Sequence, residues 1–479
     1  MAQSQSNVDR FSFLPEEILI FIVSLLPLRE AVRTSVLSKR WYKLWTYCTS
    51  IEFDETNFTG TIHDDQQLQD SGQSAGTLRQ MKKVRSDIVV ESVHHTLQCL
   101  QSPKISRLDV RFGYRTRYCD FVNEWISLCL RKNIEELHFD FSVGAFHRFD
   151  FDPFNEGLFC LRDSVHATGS KSLWVLSLSF CNLGSPSFHG FPALKKVSLA
   201  RLGLRKEVVE NLVDNCLLLK TLSLVECRYL DHIKISHPRL RLRRLIVRDC
   251  QPLTKGIDLY APCLQYFEYF GPVVFFQLYR LTSLVEAVLD FGLQRGFHSV
   301  SMKLSNLLLV DLYRAKSLTV CGYLLRILPA EDATSFHQLR RPLPHLKNLT
   351  MVTTLDKEKF LFQDLELEPS VSPFRHLKVV EVENFQGSTN EIKLLKFLLQ
   401  NAWVLQKMAV IPHQYFMVGT GQGDRSIISG VVDELRRCDC ASPHVMISYR
   451  LITFSSVAIT INMASSLSSA FNFFCWVSF

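Results

Sequence analysis

One pattern recurs along this chain: an apolar residue, two of any kind, a second apolar residue, one of any kind, and a third apolar residue. It appears as "ISRLDV" at Ile105, "IEELHF" at Ile134, "LWVLSL" at Leu173, "LKKVSL" at Leu194, "LKTLSL" at Leu219 and "LRRLIV" at Leu242. It continues as "LQYFEY" at Leu264, "LVEAVL" at Leu284, "LLLVDL" at Leu307, "LKNLTM" at Leu346 and "LKVVEV" at Leu377. A unit this short cannot bury an apolar face alone, so each copy supplies one strand and neighbours stack to share a continuous core. The expected class is therefore an α/β solenoid. Side chains alternate along a strand, so the apolar residues point inward and those between them line the concave face.

From Leu173 to Leu307 the copies follow at about 20 to 25 residues, the leucine-rich-repeat period, with longer steps near Ile134 and after Leu307 that imply insertions. The concave face would carry Thr221, Ser223 and Val225, then Arg244, Ile246 and Arg248, then Tyr266, Glu268 and Phe270. Glu286, Val288 and Asp290 follow, and then Leu309, Asp311 and Tyr313. Arginine and aromatic residues are enriched at interfaces, so Arg244, Ile246, Arg248, Tyr266, Glu268, Phe270, Asp290 and Tyr313 are the candidate partner-binding residues. The alternative is a solvated solenoid face. Cys181, Cys227 and Cys250 stand three residues after the second strand apolar of "LSLSFC", "LSLVEC" and "LIVRDC", the turn position of the repeat, which makes them structural.

Chemistry on small molecules finds little support. There is no phosphate-binding Walker loop, no HExxH and no GxSxG. "GTGQG" (Gly419 to Gly423) lacks the dinucleotide fingerprint, and His94 and His95 sit on an expected helix without partner ligands. The 14 cysteines include no CxxC and no Cys/His set at zinc spacing, and Cys438 and Cys440 stand without a second pair, so they read as reduced intracellular thiols with no metal or cofactor. The formal charge of +7 contains no block of like charge, and the arginines of "RLRLRRLIVR" alternate with strand apolar residues, which argues against nucleic acid.

The opening stretch, "LPEEILIFIVSLLPLREAVRTSVLSKRWYKLW" (Leu14 to Trp45), poses a different problem. Pro15 suits a first helical position, with Glu16 and Glu17 in the first turn. Pro27 breaks that helix, a second runs from about Leu28 to Leu37, and Ser38 offers an N-cap for a third, in which Trp41, Leu44 and Trp45 share a face. Ile18, Leu19, Phe21, Ile22, Val23, Leu25 and Leu26 go almost all round the first helix, whereas a surface helix needs one apolar stripe. Either this patch packs on the rest of the chain or another protein covers it.

The string closely resembles a plant F-box, with its Leu-Pro start, Leu-Pro-Leu break and "SVLSKRWxxLW" end. That resemblance implies docking on a Skp-type adaptor of a cullin-RING ubiquitin ligase. It places the contact on Leu14, Pro15, Ile18, Leu19, Ile22, Leu25, Ser35, Leu37, Ser38, Arg40 and Trp41. Further on, "SPFRHLKVVEVENFQGSTNEIKLLKFLLQNAWVLQKMAVIP" (Ser372 to Pro412) reads as strand, turn and helix, with Ile392, Leu395, Leu398 and Leu399 on one face. Together with Val431 to Tyr449 it resembles the FBD domain that follows F-box and leucine-rich repeats in many plant proteins.

The expected organisation is an F-box of three helices over 8–50, a flexible linker over 51–85 from its Gly/Ser/Gln content, a leucine-rich-repeat solenoid over 86–370 and an α+β FBD-like cap over 371–449. A 29-residue uncharged tail, Leu451 to Phe479, closes the chain; it is long enough to cross a bilayer but diluted by eleven Ser, Thr and Asn residues, which argues against a membrane anchor. The resemblance implies a non-catalytic substrate receptor of an SCF-type E3 ubiquitin ligase, in the cytoplasm, the nucleus or both. A scaffold without ligase function and a small-molecule-sensing repeat receptor are the rival readings.

Overall fold

Ten of the eleven copies of the pattern form short parallel strands whose apolar residues are buried and whose intervening residues are mostly more exposed. In a computed structural model the described residues are 13–57, 75–114, 116–143, 159–160, 170–183, 188–291, 312–321, 343–352, 374–387, 389–412 and 430–449. They fall into two compact units, Met1–Leu264 with Val274–Tyr279, and Gln265–Val273 with Arg280–Phe479.

The first unit begins with helices α1 (Glu16–Ser24) and α2 (Leu28–Arg33), which continues as a 3-10 turn over Thr34–Val36, and a second 3-10 turn over Leu44–Tyr47. Strand β1 (Ser50–Asp54) then enters a parallel sheet with β2 (Arg107–Arg111), β3 (Glu136–Asp140), β4 (Val175–Ser179), β5 (Lys196–Ala200), β6 (Thr221–Val225) and β8 (Arg244–Arg248). Helix α3 (Ala75–Cys99) follows β1 and α4 (Cys119–Arg131) follows β2. The stretch expected as a linker thus opens with a strand and closes within a helix. The signal for β1 is the alternation of Ile51 and Phe53, both buried, inside a run too short to stand out from sequence.

A feature absent from the sequence reading is a second parallel sheet, ordered β11–β9–β7, from Phe276–Tyr279, Pro252–Tyr260 and Leu230–Ile235. Helix α5 (Lys206–Asn215) packs on β7, burying Val208, Val209, Leu212 and Val213.

The strands end in a repeated turn. Phe180, Arg201, Glu226 and Asp249, each the first residue beyond its strand, have φ of 61°, 55°, 53° and 49°. Left-handed backbone costs a non-glycine residue roughly 1–2 kcal/mol. The cost is offset by a ladder in which Phe180 N–H donates to Ala200 O (3.0 Å), Arg201 to Val225 (2.8 Å) and Glu226 to Arg248 (2.7 Å). The next residue is the expected cysteine position: Cys227 Sγ donates to Leu199 O (3.4 Å) and Cys250 Sγ to Leu224 O (3.5 Å), one rung apart. Cys181, Cys227 and Cys250 are all buried, which fits the structural reading.

Burial also decides thiol reactivity. It pushes the Cys48 thiol up to about 11 and those of Cys129 and Cys216 up to about 12, whereas Cys160 and Cys263 are exposed. Because the thiolate is the nucleophile, alkylation of the native protein at mildly alkaline pH is expected to modify Cys160 and Cys263 orders of magnitude faster than the three buried thiols. Mass spectrometry of a labelling time course checks this.

In the second unit, β10 (Tyr266–Phe270), β12 (Glu286–Asp290), β13 (Ser317–Cys321), β14 (Asn348–Val352), β15 (Val379–Phe385), β16 (Lys407–Pro412) and β17 (Met446–Tyr449) pair in parallel in that order. Helix α6 (Thr389–Asn401) joins β15 to β16 and buries Leu395, Leu398 and Leu399, three of the four residues expected on its apolar face, while Ile392 is half-buried. One repeat is registered differently from expectation. The strand paired with β12 is "SLTVC", with Leu318 and Val320 inward, and "LLLVDL" lies, apart from Leu312, outside the described residues. Ala315, Leu318 and Val320 reproduce the pattern eight residues downstream, so two neighbouring matches competed and the weaker-looking one, with alanine in first place, is the strand paired with β12. Among the described residues no helix is long and apolar enough to cross a membrane; the tail lies outside them.

Candidate functional site

The opening module resolves the question its first helix raised. Of α1, only Leu19 and Val23 turn into the module, where they meet Ala31, Leu28, Trp41 and Leu44 as a small core. Ile18 is 44% exposed and Leu25 69% exposed, with Phe21 exposed between them on the same face and Ile22 and Leu14 partly so. Spacings of three and four residues put Ile18, Phe21, Ile22 and Leu25 on one stripe. Val36, Leu37 and Tyr42 add further exposed apolar surface beyond α2.

Two expected contact residues are not available there. Leu19 is fully buried and Trp41 is 8% exposed, so both hold the module together from inside. The expected third helix is also replaced by turns. The Thr34 hydroxyl donates to Ala31 O (2.7 Å) and that of Ser35 to Tyr42 O (3.1 Å), side-chain bonds that compete with helix continuation and fold the chain back so that Trp41 can enter the core. Arg40 remains exposed and its guanidinium donates to the Leu14 carbonyl, clasping the end of the module to its start. Pro15, Ser38 and Leu37 are exposed, and Phe13, Phe21, Val36 and Tyr42 join the surface although the motif did not single them out.

The module is fixed to the repeats by Glu55, just beyond β1. Glu55 is 5% exposed, and its carboxylate accepts from Gly113 N–H (2.7 Å) and from the Ser86 hydroxyl (3.1 and 3.2 Å). Ser106 N–H and hydroxyl both donate to Thr49 O (2.8 and 3.0 Å).

On the half-exposed face of β1 to β3 the side chains form an ionic mesh. Arg107 lies 2.6 Å from Asp109 and 3.8 Å from Glu136, and Arg111 lies 3.6 Å from Asp54 and 3.3 Å from Asp140. His138 sits among them, 3.5 Å from Glu136, and burial is the largest influence on it, lowering its pKa against the pull of Asp109 and Glu136. A histidine favoured neutral in the folded state leaves stability intact above its ordinary pKa and removes it as pH falls below that value, where the unfolded chain takes up the proton first. The urea midpoint of the chain is expected to drop between neutral and mildly acidic pH, and His138→Gln to flatten that drop.

The other candidate residues divide between the units. Arg244, Ile246 and Arg248 occupy alternate positions of β8 in the first, pointing away from buried Leu245 and Val247. Tyr266 and Phe270 take the equivalent positions of β10 in the second, with Asp290 in register with Phe270. Glu268 differs: it is buried, and the Tyr266 hydroxyl donates to it at 2.6 Å, so flanking aromatic bulk covers the carboxylate. Tyr313 belongs to the turn before β13 and not to a strand; it is exposed, with Arg314 Nε donating to its hydroxyl (2.6 Å). Among the described residues no group of three or more His, Cys, Asp or Glu could hold a metal ion.

Three family models match the chain: the F-box domain over residues 11–52, the At1g61320/AtMIF1 LRR domain over 101–307 and FBD over 374–410. Among relatives from Arabidopsis thaliana, the F-box protein At3g29830 is 26% identical over 436 residues, 83% of this chain and 89% of its own length. The F-box protein At3g62230 is 24% identical over 484 residues, 93% of this chain and 99% of its own. The F-box/FBD/LRR-repeat protein At2g04230 is 29% identical over 245 residues, 51% of this chain and 48% of its own. The chain thus carries matches to the F-box, leucine-rich-repeat and FBD models in that order and is similar to Arabidopsis F-box/LRR/FBD proteins.

Proposed function

We propose that the chain is the substrate-recognition subunit of an SCF-type E3 ubiquitin ligase. The observation that carries this reading is the apolar stripe of α1: Ile18, Phe21 and Leu25 stay exposed on a module that has already built its own core, so a second protein is needed to cover them. A Skp-type adaptor, the partner that an F-box implies, fits that need, with Leu14, Pro15, Ile18, Ile22, Leu25, Ser35, Leu37, Ser38 and Arg40 as the contact and Leu19 and Trp41 behind it. The repeats hold a target protein on their strand faces, with Arg244, Ile246 and Arg248 in the first unit and Tyr266, Phe270 and Asp290 in the second as candidate contacts.

In this role the chain makes and breaks no bonds. It raises the effective concentration of target lysines near a charged conjugating enzyme, and the covalent steps belong to other subunits. The site of action would be cytoplasm, nucleus or both. The test is depletion of the chain in plant cells combined with quantitative proteomics of proteins captured on its repeats. A captured protein whose abundance rises on depletion, and falls back on re-expression, supports the receptor. Captured proteins whose abundance never changes would make the chain a scaffold.

A further inference from the structure

The residue just before each strand forms a row along one rim of the sheet. In the first unit Lys195 N–H donates to Trp174 O (2.9 Å), Lys220 to Lys195 O (2.7 Å) and Arg243 to Lys220 O (2.8 Å), which fixes these residues on successive rungs. Neighbouring strands lie about 4.8 Å apart, so the row carries one cation per rung. Lys196, the first residue of β5, adds a fourth. All four are exposed, and none has an ion pair among the described residues.

Several other cations of the unit are paired. Lys104 pairs with Glu135, Arg107 with Glu136, Arg111 with Asp140, Arg201 with Glu226 and Lys255 with Asp231. Like charges held side by side across strands repel and destabilise a sheet. Other cations of the unit without an ion pair among the described residues, such as Lys206 and Lys234, do not sit on adjoining rungs; what sets this row apart is that its charges repel one another along the ladder, a cost that an acidic partner would relieve. The same arrangement recurs within the second unit, where Lys347 N–H donates to Lys316 O and Lys378 N–H to Lys347 O (both 2.8 Å), and all three side chains are exposed.

We propose that the rim formed by Lys195, Lys196, Lys220 and Arg243 docks an acidic protein segment, a run of aspartate, glutamate or phosphorylated residues in extended conformation. Long, flexible lysine and arginine side chains on a regular ladder accept carboxylates at variable spacing, and such contacts set association rate and specificity. A single-stranded nucleic acid would call for aromatic stacking platforms between the cations. Here the only aromatic in the row is half-buried Trp174, on the rung between Lys195 and Glu135, where the run of cations stops. The proposal goes beyond the receptor reading: that reading concerns the apolar stripe and the strand faces, and either can fail without the other.

The experiment measures fluorescence anisotropy of a labelled oligoglutamate peptide, and of labelled oligothymidylate of matched charge, against the full chain at low and high salt, with no adaptor present. The expected result is salt-sensitive peptide binding that Lys195→Glu/Lys220→Glu/Arg243→Glu weakens about tenfold or more. The charge-matched control Arg131→Glu/Lys206→Glu/Lys234→Glu, at positions outside the row, should change it less than the rim variant by a wide margin. If the glutamate triple variant fails to fold, the glutamine triple at the same positions decides, with a smaller loss in the same direction. Wild-type peptide affinity in the rim variant, equal loss in the control, or tighter binding of oligothymidylate than of peptide would each overturn the proposal.

Discussion

Ile18→Asp and Leu25→Asp are each expected to abolish capture of a Skp-type adaptor while leaving the thermal unfolding of the chain unchanged. Ile18 is 44% and Leu25 69% exposed and neither belongs to the buried core, so a charge there costs the folded chain little, whereas at a buried interface it would sit desolvated and unpaired. Truncating a central interface residue typically costs 2 kcal/mol or more, and an inserted carboxylate adds its desolvation, so a loss of at least about 30-fold in affinity is expected. Leu19→Ala should behave in the opposite way. It removes a fully buried side chain from a very small core, at a cost of about 2–5 kcal/mol, and should lower stability and protease resistance of residues 13–57 before it alters any surface. Calorimetric binding together with limited proteolysis separates the two effects; adaptor capture retained in Leu25→Asp would remove α1 from the interface.

The second large effect falls at a single glycine of the three-stranded sheet. Gly256 on β9 has φ of 81°, and a Cβ added there would stand 2.0 Å from Phe275 O and 2.8 Å from its carbonyl carbon. Neither atom is the end of a flexible side chain, and Ile257 N–H already donates to that same oxygen (2.9 Å), so the two backbones cannot part without losing the pairing of β9 with β11. Gly256→Ala therefore combines a left-handed alanine with a backbone clash, and a destabilisation above about 4 kcal/mol, in the exceptional class for point substitutions, is expected. Gly430→Ala is the comparison: nothing lies within 4 Å of its Cβ, and in the helical residues 430–436 alanine replaces the poorer helix former, so stability should hold or rise slightly. Thermal unfolding of the two variants beside the wild type checks both.

The repeat strands were legible because their signal is local and redundant: Leu222 and Leu224, or Val380 and Val382, are buried as the spacing requires, and each copy corroborates the next. The sheet of β7, β9 and β11 was not, because "LDHIKI" and "PLTKGIDLY" alternate irregularly and the strands pair across 19 to 24 residues by a register that only the stacked turns define. The misregistered repeat at Leu307 shows the limit from the other side, since a leucine-rich string satisfied the pattern while the alanine-led "AKSLTV" made the strand. In the opening module the motif gave the right stretch but not the direction of each side chain. Leu19 and Ile18 are neighbours of equal hydropathy, and only the position of Trp41, drawn inward by the Ser35 and Thr34 turns, decides which of them faces out.

The most direct measurement is isothermal titration of the purified full chain with a purified Skp-type adaptor. The account predicts one-to-one binding with a dissociation constant of about 1 μM or tighter and a negative heat-capacity change from burial of the α1 stripe, both lost in Leu25→Asp. A chain that melts cooperatively yet produces no binding heat at adaptor concentrations well above that value would contradict it.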